Sequence, residues 1–577
     1  MTPAERVLAY FDRISEAPDA IARLRRFVFD IAVRGKLVDQ DPNDEPASAL
    51  VAAFRALAKS GRKVANDGAA PQPFEIPPSW TWCRLSDVGT IVAGGTPPSK
   101  DEGNFATSGS GIPWLTPADL GRNKALWVSR GARDLTAQGL HNSSATVMPK
   151  GTVLFTSRAP IGYTAIAAND ISTNQGFKSI VPHHLECNRY IALYFRAFAR
   201  WIDERASGTT FREVSGKVVA ALPFPLPSLA EQQRIVARVD ELMALCDRLE
   251  ASRTDREGAR DRFARSSLSR LVEPAVLLAD FLRGVRLSLD NLPRTLVSHR
   301  HVQELRAAIL QLAVTGKLVK QDEHDDSVEE LLKSIAVEKA RLSQAGRPGR
   351  VADDKCEDIE GEFILPTGWR WSSVGEICSK TGSGSTPRGG KESYRQSGIA
   401  FLRSQNVHDD GLRLSDVAYI EPATHLAMAG TVVRPRDLLL NITGGSIGRC
   451  AKVPDDFPEA NVSQHVAIIR VAFDGLQNFL HRLIQSPYFQ QLIIAEQTGA
   501  GRGGLPKNRM DRIPVAVPPI AEQLRIVTKI DELMAMCDQL ETQIEGARTA
   551  KTALLEATLR DALSADTRSV ALPAGVR

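Results

Sequence analysis

The tract AEQQRIVARVDELMALCDRLE (230–250) returns as AEQLRIVTKIDELMAMCDQLE (521–541). About 290 residues separate the copies, far beyond the ~20–50-residue period of a solenoid, so the chain reads as a duplicated half-molecule. In each copy the apolar positions advance by alternating steps of four and three: Ile235, Val239, Leu242, Cys246 and Leu249, then Ile526, Ile530, Leu533, Cys537 and Leu540. That is a heptad seam, which buries itself against a second helix; an ordinary amphipathic surface helix is the alternative. A proline-punctuated, strand-like run precedes each copy, LPFPLPSL (222–229) and IPVAVPPI (513–520). Proline ends a strand and is tolerated at a helix start, so both seam helices begin sharply.

Other tracts repeat in the same order. IARLRRFVFDIAVRGKLVDQD (21–41) is helical up to a glycine stop at Gly35 and is matched by LRAAILQLAVTGKLVKQD (305–322), where Ala313, Gly316, Lys317 and Leu318 copy Ala32, Gly35, Lys36 and Leu37. Loose Gly/Pro-containing stretches follow at 66–73 and 345–355 and read as linkers. PFEIPPSWTW (73–82) then matches EFILPTGWRW (362–371), aligning Trp80 with Trp369 and Trp82 with Trp371; tryptophan in such an opening serves a core more readily than a base stack. The stretches 83–221 and 372–512 alternate short β-forming runs with turns, as in 151–167 and its parallel 436–453, with helix expected at 188–206.

The expected fold is α+β. Two mixed α/β bodies are separated by long antiparallel, coiled-coil helical spacers, with near two-fold symmetry and the chain ends meeting. The parts are an N-terminal helical region and linker (1–72), a first body (73–228), a central helical region (229–361), a second body (362–519) and a final helix and tail (520–577). Each helical arm is expected to run roughly 30–40 residues, or roughly 45–60 Å.

Bulk composition narrows the class rather than the function. Hydrophobic residues make up 43% and charged residues 24% of 577, with a net charge of +4, which permits a basic face without requiring one. Seven cysteines, an odd number with no Cys-x-x-Cys pair, point to a reducing cytoplasm and no zinc site. No run nears the ~20 apolar residues of a membrane span, and the amino terminus lacks a signal-peptide core.

Enzyme signatures occur by letter and fail on context. GAGRGG (499–504) has the dinucleotide-loop spacing, but Leu505 and Pro506 block the helix it needs. GGSIG (444–448) resembles a nucleophile elbow, but no helical pattern follows and the other half has RAPIG there. There is no phosphate loop for ATP, no Asn/Asp-Pro-Pro-aromatic tetrapeptide and no metal-ligand spacing around His183, His184, His299 or His301. The sequence offers no catalytic constellation and no cofactor or metal site of its own.

What remains is loop chemistry suited to nucleic acid. GGTPPSK (94–100) brings Thr96, Ser99 and Lys100 together, and GSGSTPRGGK (382–391) brings Ser385, Thr386, Arg388 and Lys391. Amides, hydroxyls and cations are what phosphate oxygens bind. STNQGFK (172–178) contributes Asn174, Gln175 and Lys178, and NVSQH (461–465) contributes Ser463 and Gln464; Asn and Gln can read adenine bidentately. The loops before the seam helices add Thr209, Thr210, Arg212 and Lys217 in one half and Arg502, Lys507 and Arg509 in the other, and Arg158, Arg403 and Ser446 complete the candidate DNA-contacting set. Each loop alone reads as solvated surface; their recurrence at matching places favours a shared task.

Taken together, the proline–AEQ–helix tracts, the ILQLAVTGKL-type tracts, the LPxGWxW opening, the GG-TP loop and the NQG tract resemble the specificity subunits of type I restriction–modification systems, over essentially the whole chain. The resemblance implies a DNA-reading subunit that is not itself an enzyme, within an endonuclease and adenine methyltransferase complex. Each target-recognition domain would read one half of a bipartite double-stranded target, with half-site centres about one helical turn apart or slightly more. Two modification (methyltransferase) subunits would dock on the helices, on outer faces that include Glu231, Gln232, Asp240 and Glu241 with Glu522, Gln523, Asp531 and Glu532. ATP-dependent restriction subunits would complete the assembly, and S-adenosylmethionine, ATP and Mg²⁺ would belong to those partners. Two rivals stay open: a coiled-coil scaffold without sequence-specific DNA binding, and the DNA-reading part of a split methyltransferase–nuclease. NVSQH departs from TNQGF, and the long segment 272–300 has no assigned role.

Overall fold

The computed structural model describes residues 16–58, 72–123, 125–158, 160–204, 206, 212–272, 298–344, 360–498 and 503–564. The chain divides into two units, 1–255 with 547–577, and 256–546. The division cuts both long helices, Leu229–Val272 and Ile520–Ser564. Each unit is α+β, as the pattern of elements implies.

In the first unit, helix Ala20–Val33 buries Leu24, Phe27, Val28 and Ile31 in one core with the seam residues Ile235, Val239, Leu242 and Cys246. Leu249 packs half-buried at its edge, and Leu555 and Ala562 of the last helix join the same core. Ion pairs fix the register: Arg25 reaches Asp247 at 2.6 Å and Glu250 at 2.7 Å, Arg23 reaches Glu556 at 2.7 Å, and Lys551 reaches Glu16 at 2.7 Å. Helix Ala20–Val33 and the end of helix Ile520–Ser564 therefore pack together, as the duplication requires. In the second unit the pattern returns. Helix His299–Val314 buries Val302, Ile309, Leu310 and Ala313 against Ile526, Ile530 and Cys537, with Leu533 and Leu540 half-buried, and Arg306 reaches Asp538 at 2.5 Å and Glu541 at 3.2 Å.

The two long helices exceed the expected arm length. The long helices span 44 and 45 residues, about 66 Å at 1.5 Å per residue, whereas their partner helices span 14 and 16. Ser298 caps the start of the second partner, its hydroxyl accepting from the His301 amide at 3.3 Å. Both end where glycine takes a left-handed backbone, Gly35 at φ 68° and Gly316 at φ 70°. The stretch 273–297, which holds most of the segment without an assigned role, lies outside the described residues.

The two bodies share one plan. In the first, a five-stranded sheet runs Gly89–Ala93, Lys178–Pro182, Val153–Phe155, Thr164–Ala167, Trp127–Val128; in the second, a four-stranded sheet runs Cys378–Ser383, Val466–Val471, Leu438–Asn441, Cys450–Lys452. Beside each lies a four-stranded sheet containing one parallel pair, Ile112–Leu115 with Ser172–Thr173, and Ile399–Leu402 with Ala460–Val462. Helix Asn188–Asp203 covers the first body through Tyr190, Tyr194 and Phe195, which are fully buried.

Each body meets its long helix through a joint that the sequence repeats. The proline-led strand pairs with the tryptophan strand as a two-stranded ribbon, Thr81–Arg84 with Pro223–Leu226 and Arg370–Ser373 with Pro514–Val517. Such a ribbon leaves the prolines' missing donors on a free edge. Trp80 and Trp369 are buried against the helix stops, where a Cβ on Gly35 would fall 2.4 Å from Pro77 Cγ and one on Gly316 2.3 Å from Pro366 Cγ. Arg234 grips Asp44 with two hydrogen bonds at 3.1 and 2.7 Å; Arg525 grips Asp325 at 2.9 and 2.6 Å.

This joint corrects part of the expected docking face. Glu231 and Gln232 are each 1% exposed, Glu522 1% and Gln523 2%, so these four lie inside rather than on an outer face. Gln40 donates to Glu231 at 2.6 Å, Trp369 Nε1 donates to Glu522 at 2.9 Å, and Gln232 and Gln523 donate to the Pro227 and Pro518 carbonyls at 3.1 and 2.8 Å. Burial pushes both carboxyls up. Asp240, Glu241, Asp531 and Glu532 are exposed and pair with Arg189, Arg238, Arg482 and Lys529 at 2.7, 2.7, 2.6 and 2.9 Å.

Candidate nucleic-acid interface

The tracts singled out in the sequence are brought together in each body, by the same backbone contacts. The amides of Gly94 and Gly384 donate to Phe177 O and Val466 O at 3.4 and 2.9 Å; those of Gly95 and Ser385 donate to Thr173 O and Val462 O at 2.8 and 3.2 Å. Only glycine fits so close: a Cβ on Gly94 would lie 1.9 Å from Asn174 O, and one on Gly384 1.9 Å from Val462 O. The amides of Asn174 and Ser463 donate to Leu115 O and Leu402 O, both at 2.9 Å. The loop before each seam helix closes the frame, with Val214 N donating to Ser157 O at 3.0 Å and Leu505 N to Ile442 O at 2.9 Å.

On this frame the two loop edges carry both shared and different groups. Thr96 and Thr386 occupy one equivalent exposed position, and Gln175 and Gln464 another. Ser99, Lys100, Lys217, Ser385, Arg388 and Lys391 are exposed. Asn174 is half-buried, and its Oδ1 accepts from the Gly176 amide at 2.9 Å, so it shapes the turn as well as facing outward. Ser463, its counterpart, is 4% exposed and does not reach the surface, so it is set aside as a contact residue. Ser446 is half-buried and accepts from Asn441 Nδ2 at 3.2 Å.

Several of the expected cations are held by carboxylates. Lys178 pairs with Glu213 at 3.0 Å, with Arg158 approaching the same carboxylate at 3.9 Å. Arg212 reaches Asp203 at 3.4 Å, Arg509 reaches Glu496 at 3.0 Å, and Lys507 pairs with Asp511. Arg403 donates to the Asp416 carbonyl at 2.8 Å and lies over the Tyr394 ring. Lys100, Lys217, Arg388 and Lys391 have no ion-pair partner among the described residues. Thr209, Thr210 and Arg502 lie outside the described residues.

Sequence reasoning missed three groups here. Glu213 is the one carboxylate inside SGTTFREVSGK (207–217), and that oddity in a basic loop was its signal. Thr443 and His465 meet at 2.6 Å in the second body, across a sequence gap that no local pattern bridges. GGSIG forms a single 3-10 turn, Gly444–Ser446, followed by the strand Cys450–Lys452 rather than a helix. Among the described residues no group of three or more His, Cys, Asp or Glu is placed to hold a metal ion, and no helix is long and apolar enough to cross a membrane.

Comparison with known proteins matches this duplicated architecture to one family. The family model described as "Type I restriction modification DNA specificity domain" matches residues 77–256 and again 366–547. The EcoAI type I restriction enzyme specificity subunit of Escherichia coli is 28% identical over 93% of this chain and 93% of its own length. The EcoEI specificity subunit of the same organism is 26% identical over 94% of each. The crystal structure of the HsdS subunit from Thermoanaerobacter tengcongensis aligns over 86% of this chain and 99% of its own, at 19% identity and a TM-score of 0.40. Matched in both of its halves, the chain belongs to the type I restriction–modification DNA specificity family, as a specificity subunit of such a system.

Proposed function

We propose that each body reads one half of a bipartite double-stranded DNA target. The long helices set the distance between the halves, and the chain docks two modification subunits, with restriction subunits completing the assembly. The observation that carries this is the pair of loop edges: one backbone frame, built twice by matching hydrogen bonds, holds different polar groups. Identical frames serve a symmetric set of partners, while different side chains serve a target whose halves differ. Lys100, Lys217, Arg388 and Lys391 would hold phosphates and set register, while Gln175 and Gln464 face base edges. The docking face keeps Asp240, Glu241, Asp531 and Glu532, which are exposed, and loses the four buried residues of the joint. S-adenosylmethionine, ATP and Mg²⁺ would be used by the partner subunits, leaving this chain to read.

The test exchanges residues 73–228 for the matching part of a relative, in the assembled complex, and sequences the methylated sites in cells. One half of the modified motif should change and the other stay. A change in both halves, or in neither, would defeat the reading.

A further inference from the structure

The Lys178–Glu213–Arg158 cluster is not needed to hold its loops. In the second body the same frame closes without it. Gly504 precedes Leu505 where Glu213 precedes Val214, and Ala467 follows Val466 where Lys178 follows Phe177. A group the fold can omit, at the loop edge, is free to differ for the sake of what the loop touches.

Its chemistry is specific. Lys178 is 11% exposed and donates to Glu213 Oε1 at 3.0 Å, which fixes the carboxylate. Glu213 is 37% exposed and Arg158 32%; their closest approach of 3.9 Å is too long for a hydrogen bond, so among the described residues the guanidinium donors and the second carboxylate oxygen both remain available. A phosphate would be repelled by the carboxylate, so the cluster is ill suited to the DNA backbone. In the major groove a guanine offers two acceptors, O6 and N7, and its cytosine one amino donor. A guanidinium beside a free carboxylate oxygen complements that pair.

We propose that this cluster reads a guanine–cytosine pair in the half-site of the first body. Arg158 donates to guanine, Glu213 accepts from the cytosine amino group, and Lys178 is the positioning residue that holds Glu213. The second body, with Thr443 and His465 near the corresponding place, lacks this reader. The inference rests on the proposed DNA-reading function.

The experiment sequences methylated sites in cells carrying the full complex with the wild-type chain, Glu213→Gln or Lys178→Met. The exchange of residues 73–228 identifies which half belongs to the first body. At one G·C position in that half, both variants should lose selectivity roughly ten-fold or more, while the other half is unchanged. An unchanged motif in Glu213→Gln overturns the inference, as does a wild-type half-site without a G·C pair or an equal weakening across both halves. If Glu213→Gln abolishes modification altogether, Arg158→Lys decides: it must relax the same position, and an intact motif there overturns the proposal. Absence of any two-part motif with the wild-type chain would instead defeat the DNA-reading function itself, and this inference with it.

Discussion

At the joint of the first half Arg234 grips Asp44 and Trp80 packs against Gly35; at the joint of the second, Arg525 grips Asp325 and Trp369 packs against Gly316. The loop edges of the same bodies match in backbone and part in chemistry, with Glu213 between two cations in one and Thr443 bonded to His465 in the other. Side chains are thus copied where they hold the fold and replaced where the fold does not need them. That distinction separates structural from reading residues within a single chain.

The equivalence of the joints can be broken most severely at their glycines. Gly35→Ala and Gly316→Ala each force a Cβ into a proline ring and a side chain into a left-handed backbone. Strain of ~1–2 kcal/mol for the backbone and ~1–3 for overpacking sum to about 3 kcal/mol, measurable by urea unfolding of the full chain. Equal losses support equivalent joints; a loss in only one variant defeats the equivalence.

Next in size are Arg234→Met and Arg525→Met, each expected to cost about 2 kcal/mol, since a hydrogen bond to a charged group contributes ~1.5–3 kcal/mol. The bond from Arg234, aided by Ser228, holds Asp44 below the usual carboxylate range, and Arg525 does the same to Asp325. A carboxylate with a depressed folded-state pKa stabilises fully above its unfolded value, about 3.9, and loses that contribution as pH falls through the folded value. Wild type should therefore lose stability below about pH 4 more steeply than either variant, followed by thermal unfolding against pH. Parallel curves would show that the pair contributes nothing.

The joints were the legible part of the sequence because they are written in local letters. A heptad seam, a glycine stop and a Pro-x-x-Trp opening each carry their own geometry, and all are found twice. The misjudged residues depend on distant segments of the chain. Glu231 and Glu522 lie four residues before Ile235 and Ile526, on the seam side of the helix, but what covers them comes from afar: Gln40 bonds the one and Trp369, from more than a hundred residues away, bonds the other. The loop frame was half legible. The GG-TP and NQG tracts stood out, but their meeting depends on carbonyls of strands such as Ile112–Leu115 that have no signature. Ser463 was misplaced for the same reason, since nothing local distinguishes a buried serine from an exposed one.

A smaller test concerns one turn, where Gly151 at φ 91° has Arg436 at φ 68° as its counterpart. Gly151→Ala should cost about 1–2 kcal/mol for the left-handed backbone. Arg436→Gly relieves that strain but removes exposed ion pairs to Asp455 and Asp474 at 2.7 and 3.1 Å, which solvent screens. It should leave unfolding nearly unchanged, and a large loss would show that those ion pairs outweigh the strain.

The smallest expected effect sharpens the division between free and tied cations. Removing a cation that neutralises a phosphate lowers the slope of log affinity against log salt by ~0.9. Lys100→Ala in the first body and Arg388→Ala in the second should each produce such a change in the assembled complex, with the modified motif unaltered. Arg509 is held by Glu496 at 3.0 Å, so Arg509→Ala frees a carboxylate as it removes a cation, and binding DNA no longer requires breaking that pair. Its slope should change by less. If all three variants shift the slope equally, the ion pairs open on DNA and the tied cations contact phosphate as the free ones do.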